Sequence, residues 1–189
     1  MLWTIVGIIA FSIFVILTYA SVIELRWYEI THPEIDIKNL PNAFDGYQIA
    51  HITDIHMDSS MTCKRLQEVA KMVNEQNPDL VVITGDFVSY EVEGTEDDLY
   101  HALSDFRAPD GVLAVMGNHD HLSGVDTVRR VLDRVGIREL RNAWTTIERD
   151  GQTLYFVGVD SIMGKEVNLE QALDGLPDTD ASAILLAHE

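Results

Sequence analysis

Aspartates, histidines and one asparagine recur in this chain just after apolar runs, and their side chains are of the kind that hold divalent cations. Asp54 and His56 follow residues 47–53, and Gly85-Asp86 follows residues 80–84. Gly117-Asn118-His119-Asp120 follows residues 112–116, and His188 follows residues 183–187. Mixed oxygen and nitrogen ligands without thiolate suit Mn, Fe, Zn or Mg rather than a structural cysteine-type zinc. A carboxylate can bridge two cations where an imidazole cannot, so Asp86, on the middle run, is the natural bridge. Two such ions about 3.5–4 Å apart would lower the pKa of a shared water and bind the oxygens of a phosphoryl group. Taken singly, each residue has a plainer use. An Asp after a strand commonly caps a helix or closes a turn, and a lone His is usually a satisfied polar side chain. Four clusters at successive strand ends are harder to explain that way.

The elements that would position them alternate between strand and helix. Asp54, Asp86 and Asn118 are spaced 32 residues apart, an interval that suits one strand–helix–strand unit. In a sheet wound this way, ligands collect beyond the carboxyl ends of the strands. The runs at 47–53, 80–84 and 112–116 are continuous rather than alternating, as expected of strands buried on both faces. Helices are expected at 62–76 with Thr62 as cap, from Thr95 to Phe106, and at 125–135 ending at Gly136. None of the candidate ligands is expected on a helix face. The acidic run 91–98 reads as a solvated loop and helix start rather than a metal site. Shorter strands are expected at 138–140, 143–148 and 153–159, with Asp150-Gly151 as a hairpin turn. A short helix near 168–173 and a strand at 183–187 follow.

Composition narrows the partners. The 189 residues carry 31 acids against 13 Lys and Arg, a formal charge of −18. Such a surface repels phosphate backbones, so nucleic acid is not an expected partner. The 47% hydrophobic content permits a proper core, which excludes a disordered acidic tail, and the one cysteine, Cys63, has no internal partner for a disulfide. Residues 2–23 contain no charged side chain. At about 1.5 Å per residue they would span roughly 33 Å as a helix, enough for a bilayer core of about 30 Å. Trp3 at one end and Tyr19, Trp27 and Tyr28 near the other fit interfacial aromatic belts. A cleaved signal peptide would need a basic start, which is absent here. A single-pass anchor in the cell membrane (1–23), a juxtamembrane segment (24–46) and one domain (47–189) are therefore expected.

The ordered set Asp54-x-His56, Gly85-Asp86, Gly117-Asn118-His119-Asp120 and His188 resembles the calcineurin-like metallophosphoesterase family, across residues 47–189. The G-N-H-D block is its most specific part. The resemblance implies an α/β fold in which a two-layer β-sandwich is flanked by helices, with two divalent metal ions at its edge. By that resemblance Asp54 and His56 ligate the first metal, Asp86 bridges, and Asn118 and His188 ligate the second. His119 is then the group that protonates the leaving oxygen, as an imidazole can near neutral pH. Asp120 holds the loop or orients His119. The remaining histidines, among them His121, match no motif position.

Two departures refine the expectation. Phosphoprotein phosphatases of this superfamily continue G-D-x-x-D-R-G, whereas Gly85-Asp86 is followed by Phe87-Val88-Ser89-Tyr90. The anchor and the stretch around Asp54 resemble instead YkuE/YaeI-like phosphodiesterases, close to enzymes that hydrolyse UDP-diacylglucosamine-type lipid pyrophosphates. Phosphorylated small molecules or lipid-linked substrates are the expected partners. The family also closes its site with a G-H-x-H block, and this sequence stops at His188-Glu189. The chain is thus expected to be a truncated form that binds metal weakly and turns over slowly. A non-catalytic scaffold retaining the fold is the alternative.

Overall fold

Seven short strands and six helices can be followed in the computed structural model, which describes residues 2–24, 27–90, 96–165, 167–177 and 182–189. In chain order they are α1 (Leu2–Thr18), β1 (Ile49–Ile52), α2 (Cys63–Glu75), β2 (Leu80–Thr84), α3 (Glu96–Leu103) and β3 (Val112–Val115). Then come α4 (Asn118–Ser123), α5 (Val125–Val135), β4 (Arg138–Glu139), β5 (Ala143–Arg149), β6 (Gln152–Gly158), α6 (Leu169–Leu173) and β7 (Ala183–Leu186). The chain divides into two compact units, Met1–Asp36 and Ile37–Glu189.

In the first unit α1 runs on through a wider π turn, Tyr19–Ile23, and none of the α1 residues is buried. The apolar stretch Leu2–Ser21 is long and apolar enough to cross a membrane. Two of its hydroxyls bond back to the helix itself. Thr18 Oγ1 donates to the Phe14 carbonyl at 2.8 Å and Ser21 Oγ to that of Leu17 at 2.7 Å, which satisfies them without water.

In the second unit β1 to β4 form a parallel sheet in sequence order, pairing Ile52 with Ile83 and Thr84 with Val115. The side-chain period of two divides β2 between two cores. Val81 and Ile83 pack with Leu66, Ala70, Leu99, Leu103, Val128 and Leu132 of the helices. Leu80 and Val82 pack with Leu154, Phe156 and Leu186 of the second sheet. That sheet has the order β5-β6-β7, with β5 and β6 antiparallel and β6 and β7 parallel. The architecture is the expected α/β sandwich of two sheets with helices against the parallel one. Phe44, upstream of the regular pattern, is buried in the second core with Leu80 and Phe156.

Local signals account for the element ends. Thr62 caps α2, its hydroxyl accepting from the Arg65 amide; Gly136 ends α5 at φ +87°. Asp150 and Gly151, both at positive φ, make the β5–β6 turn. Thr95 and residues 91–94 lie outside the described residues, and α3 begins with Glu96, Asp97 and Asp98. Two expectations are corrected. β2 is buried throughout, but β1 is the sheet's edge strand and His51 on it is exposed. A continuous apolar run therefore did not mean burial on both faces. And Asn118, His119 and Asp120 do lie on a helix, the first turn of α4. The six-residue helix was too short to show a hydrophobic period of its own.

Candidate metal centre

Parallel register brings the tips of β1, β2 and β3 side by side, and the pairing continues beyond the strands. The His56 amide donates to the Asp86 carbonyl at 2.8 Å and the Met57 amide to that of Phe87 at 2.9 Å. Among the described residues, three of the eight non-glycine positions with positive φ are Asp54, His56 and Asp86. Holding such residues in the left-handed region costs about 1 kcal/mol or more each, and it persists where surrounding contacts over-determine it. Here the left-handed turns aim the side chains over the strand ends. Gly85, at φ +81°, is needed for a further reason: a Cβ there would lie 2.6 Å from the Gly117 amide and 2.7 Å from His188 Nδ1. A Cβ on Gly117 would in turn strike the Asp86 carboxylate. The motif glycines are thus the surfaces on which the two loops touch.

Asp86 is the centre of the arrangement. Its carboxylate is buried, and Oδ2 lies 3.3 Å from His56 Nε2 and 3.4 Å from His188 Nε2. Its Oδ1 accepts from the His119 amide at 2.8 Å. Asp54 Oδ1 is 3.6 Å from His56 Nε2, and Asn118 Oδ1 is 3.2 Å from His188 Nε2. Ligand atoms of Asp54, Asp86 and His188 lie within 4.8 Å of one another, and so do those of His56, Asp86 and His119. All six expected side chains are therefore gathered at one sheet edge. Five follow strands of the parallel sheet, Asp54, His56 and Asp86 in loops and Asn118 and His119 in the first turn of α4; His188 alone comes from the second sheet, after β7.

The donor set fits a cation. His188 Nδ1 is 2.7 Å from the Thr84 carbonyl, an oxygen that can only accept, so Nδ1 carries a proton and Nε2 is the ring atom whose lone pair a cation could take. That lone pair faces Asn118 Oδ1 and Asp86 Oδ2. Three electron-rich atoms meeting at this range need a positive charge between them, and an imidazole braced by a backbone carbonyl is the usual partner of a metal. Thr53 orients Asp54 by donating to Oδ2 at 2.7 Å.

Asp120 has a different place. Fully buried, it accepts from the amides of Asp86 at 2.9 Å, Phe87 at 2.8 Å, Val88 at 3.3 Å and Gly117 at 2.9 Å. One carboxylate thereby fastens the loop after β2 to the loop after β3. Burial pushes its pKa up to about 6, with the Asp86 charge adding to the rise and the donated amides opposing it. The geometry is that of a loop clamp beneath the site. His121, with no motif position, is bonded through Nε2 to the buried Asp160 at 2.7 Å, and Asp160 also holds Arg129 and Arg141 at 3.1 and 3.2 Å.

Residues 47–188 match the Calcineurin-like phosphoesterase family. The chain is 31% identical over 174 residues to the uncharacterized metallophosphoesterase YkuE of Bacillus subtilis, covering 90% of this chain and 60% of that protein. It is 28% identical over 186 residues to a transmembrane protein with metallophosphoesterase domain of Danio rerio, covering 93% and 42%. It is also 33% identical over 116 residues to the UDP-2,3-diacylglucosamine pyrophosphatase LpxG of Chlamydia trachomatis, covering 58% and 35%. The chain thus spans about three fifths or less of the length of these relatives. Among solved structures, a putative 5′-nucleotidase from Staphylococcus aureus shares the fold with a TM-score of 0.53 at 14% identity, over 74% of this chain and 36% of that one. With carboxylates and imidazoles gathered at its strand ends, its clamped loops and this match, the chain belongs to the calcineurin-like phosphoesterase family.

Proposed function

We propose that the chain carries the metal-binding half of a membrane-anchored phosphodiesterase or pyrophosphatase that acts on lipid-linked substrates with a pair of divalent cations. The observation that carries this reading is the Asp86 carboxylate lying between the imidazoles of His56 and His188. Asp54 and His56 would hold one cation and Asn118 and His188 the other, with Asp86 placed to serve both. When bound, the cations supply Lewis acidity toward phosphoryl oxygens and an acidified water. The chain's own contribution is orientation: Thr84 and Thr53 fix His188 and Asp54, and Asp120 fixes the backbone of Asp86. His119, with Nδ1 3.1 Å from the Ser89 carbonyl, keeps Nε2 for a proton that passes to the leaving oxygen as the P–O bond breaks. The apolar helix Leu2–Ser21 supports single-pass attachment to the cell membrane, and the lipid pyrophosphatase among the relatives supports the substrate class.

Hydrolysis of bis(p-nitrophenyl) phosphate by the full chain with Mn²⁺ tests the reading. Asp86→Asn is expected to lower kcat/KM by roughly 10³-fold, the scale of several kcal/mol of lost transition-state stabilisation. A rate that is the same for Asp86→Asn and with a chelator present overturns it in favour of a scaffold.

A further inference from the structure

Ser89 stands where the phosphoprotein branch of the superfamily carries an aspartate, and its surroundings give it a use. Its carbonyl is the partner of His119 Nδ1. Its hydroxyl lies 3.2 Å from the His56 carbonyl and 3.1 Å from Asp58 Oδ2, both acceptors, so its single proton is shared between them. Its amide reaches the Met57 carbonyl, extending the isolated pairing of Met57 with Val88. Asp58 is itself held, its Oδ1 accepting from the Ser60 amide at 2.6 Å, the Ser60 hydroxyl at 2.7 Å and the Met61 amide at 3.0 Å. That leaves Oδ2 for Ser89.

We infer that Ser89, held by Asp58, is a positioning residue that locks His119 in the Nδ1–H tautomer and fixes it edge-on to His56. The rings of His56 and His119 meet at 4.8 Å between centroids and 86° between planes. A backbone carbonyl can only accept, so it holds Nδ1–H in both the neutral and the charged ring, and Nε2 remains the atom that gains or gives the second proton. In the charged ring Nε2 carries that proton. As the P–O bond breaks the proton moves to the departing oxygen; the water whose oxygen bonds to phosphorus releases one of its two protons to solvent, and the ring, left neutral with Nδ1–H still on the Ser89 carbonyl, takes a proton back from solvent for the next turnover. The Ser89 carbonyl is fixed in turn by the pairing of residues 57 and 88–89, so the direction in which it holds the ring is set by backbone.

The inference rests on the acid role proposed above for His119, and the experiment separates the two. The first measurement needs no variant and no metal: long-range ¹H–¹⁵N correlations of ¹⁵N-histidine-labelled full chain in detergent micelles. The expected pattern is Nδ1–H for His119, and an Nε2–H ring overturns the inference. Ser89→Ala and Asp58→Asn are then expected to give a mixture of tautomers, while Ser89→Thr retains the native one. In turnover with Mn²⁺, Ser89→Ala is expected to slow a phenyl phosphodiester about 10-fold more than a p-nitrophenyl one, because only the poorer leaving group needs the proton. Equal slowing of both esters with an unchanged tautomer overturns the inference and makes Ser89 a loop residue only. If His119→Ala itself shows no leaving-group dependence, the acid role fails while the tautomer result still decides the clamp.

Discussion

Both ends of the parallel sheet collect aspartates, and the two collections differ in what balances them. At the amino-terminal end Arg149, from the end of β5, binds Asp79 at 2.9 Å and Asp110 at 3.2 Å. Tyr47 completes the group by donating to Asp110 at 2.8 Å and stacking 4.8 Å under the guanidinium. Burial and the Asp110 carboxylate drive the Tyr47 hydroxyl well above its ordinary pKa, which keeps it a donor. Asp79 is held low despite its burial by the Gln48 amide and Arg149. At the carboxyl-terminal end the salt-bridge partners of Asp54 and Asp86 among the described residues are imidazoles. An acidic cluster that contains its own guanidinium is complete as folded. One that presents carboxylates to imidazole lone pairs is complete only with protons or cations.

That contrast can be broken in graded steps. The largest expected effect is on the fold beneath the carboxyl-terminal cluster. Asp120→Ala strands four buried amides, and at about 1 kcal/mol or more for each unsatisfied donor urea denaturation should show a loss of roughly 4 kcal/mol. A loss below about 1 kcal/mol would mean the loops are held by their glycine contact alone. Next comes the metal itself. Mn²⁺ at a hundred times its dissociation constant should raise the unfolding free energy by about 2.7 kcal/mol in the native chain and in Arg149→Met, but not in Asp86→Asn. Stabilisation that survives Asp86→Asn would place the cation elsewhere.

Smaller effects belong to the other end and to the rim. Arg149→Met should shift the urea midpoint only slightly, as expected of a solvent-screened ion pair, and leave the Mn²⁺ response intact; a weakened response would join the two ends into one system. The smallest effect concerns Asp58, which the Ser60 hydroxyl and neighbouring amides hold down at about 2, below its ordinary 3.8. Because the folded value is depressed, its contribution is present above about pH 4 and disappears as pH falls through about 2. Acid titration of Asp58→Asn against the native chain should therefore show curves that differ above pH 4 and converge toward pH 2. Curves that stay apart at pH 2 would trace the difference to packing rather than to ionisation.

How legible the site was depended on range. The 32-residue spacing of Asp54, Asp86 and Asn118 was readable because each parallel unit repeats the same strand-to-strand distance. Strand β2 and helix α5 were readable to the residue, since their ends carry strong local punctuation in Asn77-Pro78 and Gly136. Ser89 left only a faint trace, a departure from an expected aspartate. What it touches, His119 and Asp58, lies 30 positions after it and 31 before it in the chain. Asp120 reads from sequence only as a group that holds its loop or orients His119, and its four amide bonds run across two loops that no local pattern connects.

The chain's order of residue types alone determined the ligand chemistry, the apolar amino-terminal helix and the alternation of strand and helix, because these depend on side-chain identity and on local periodicity. Tertiary structure decided the rest. Which strand is the edge, which tautomer His188 adopts and which acids keep a guanidinium for company all follow from contacts between segments far apart in the chain, where pairing register rather than neighbouring sequence sets the distance.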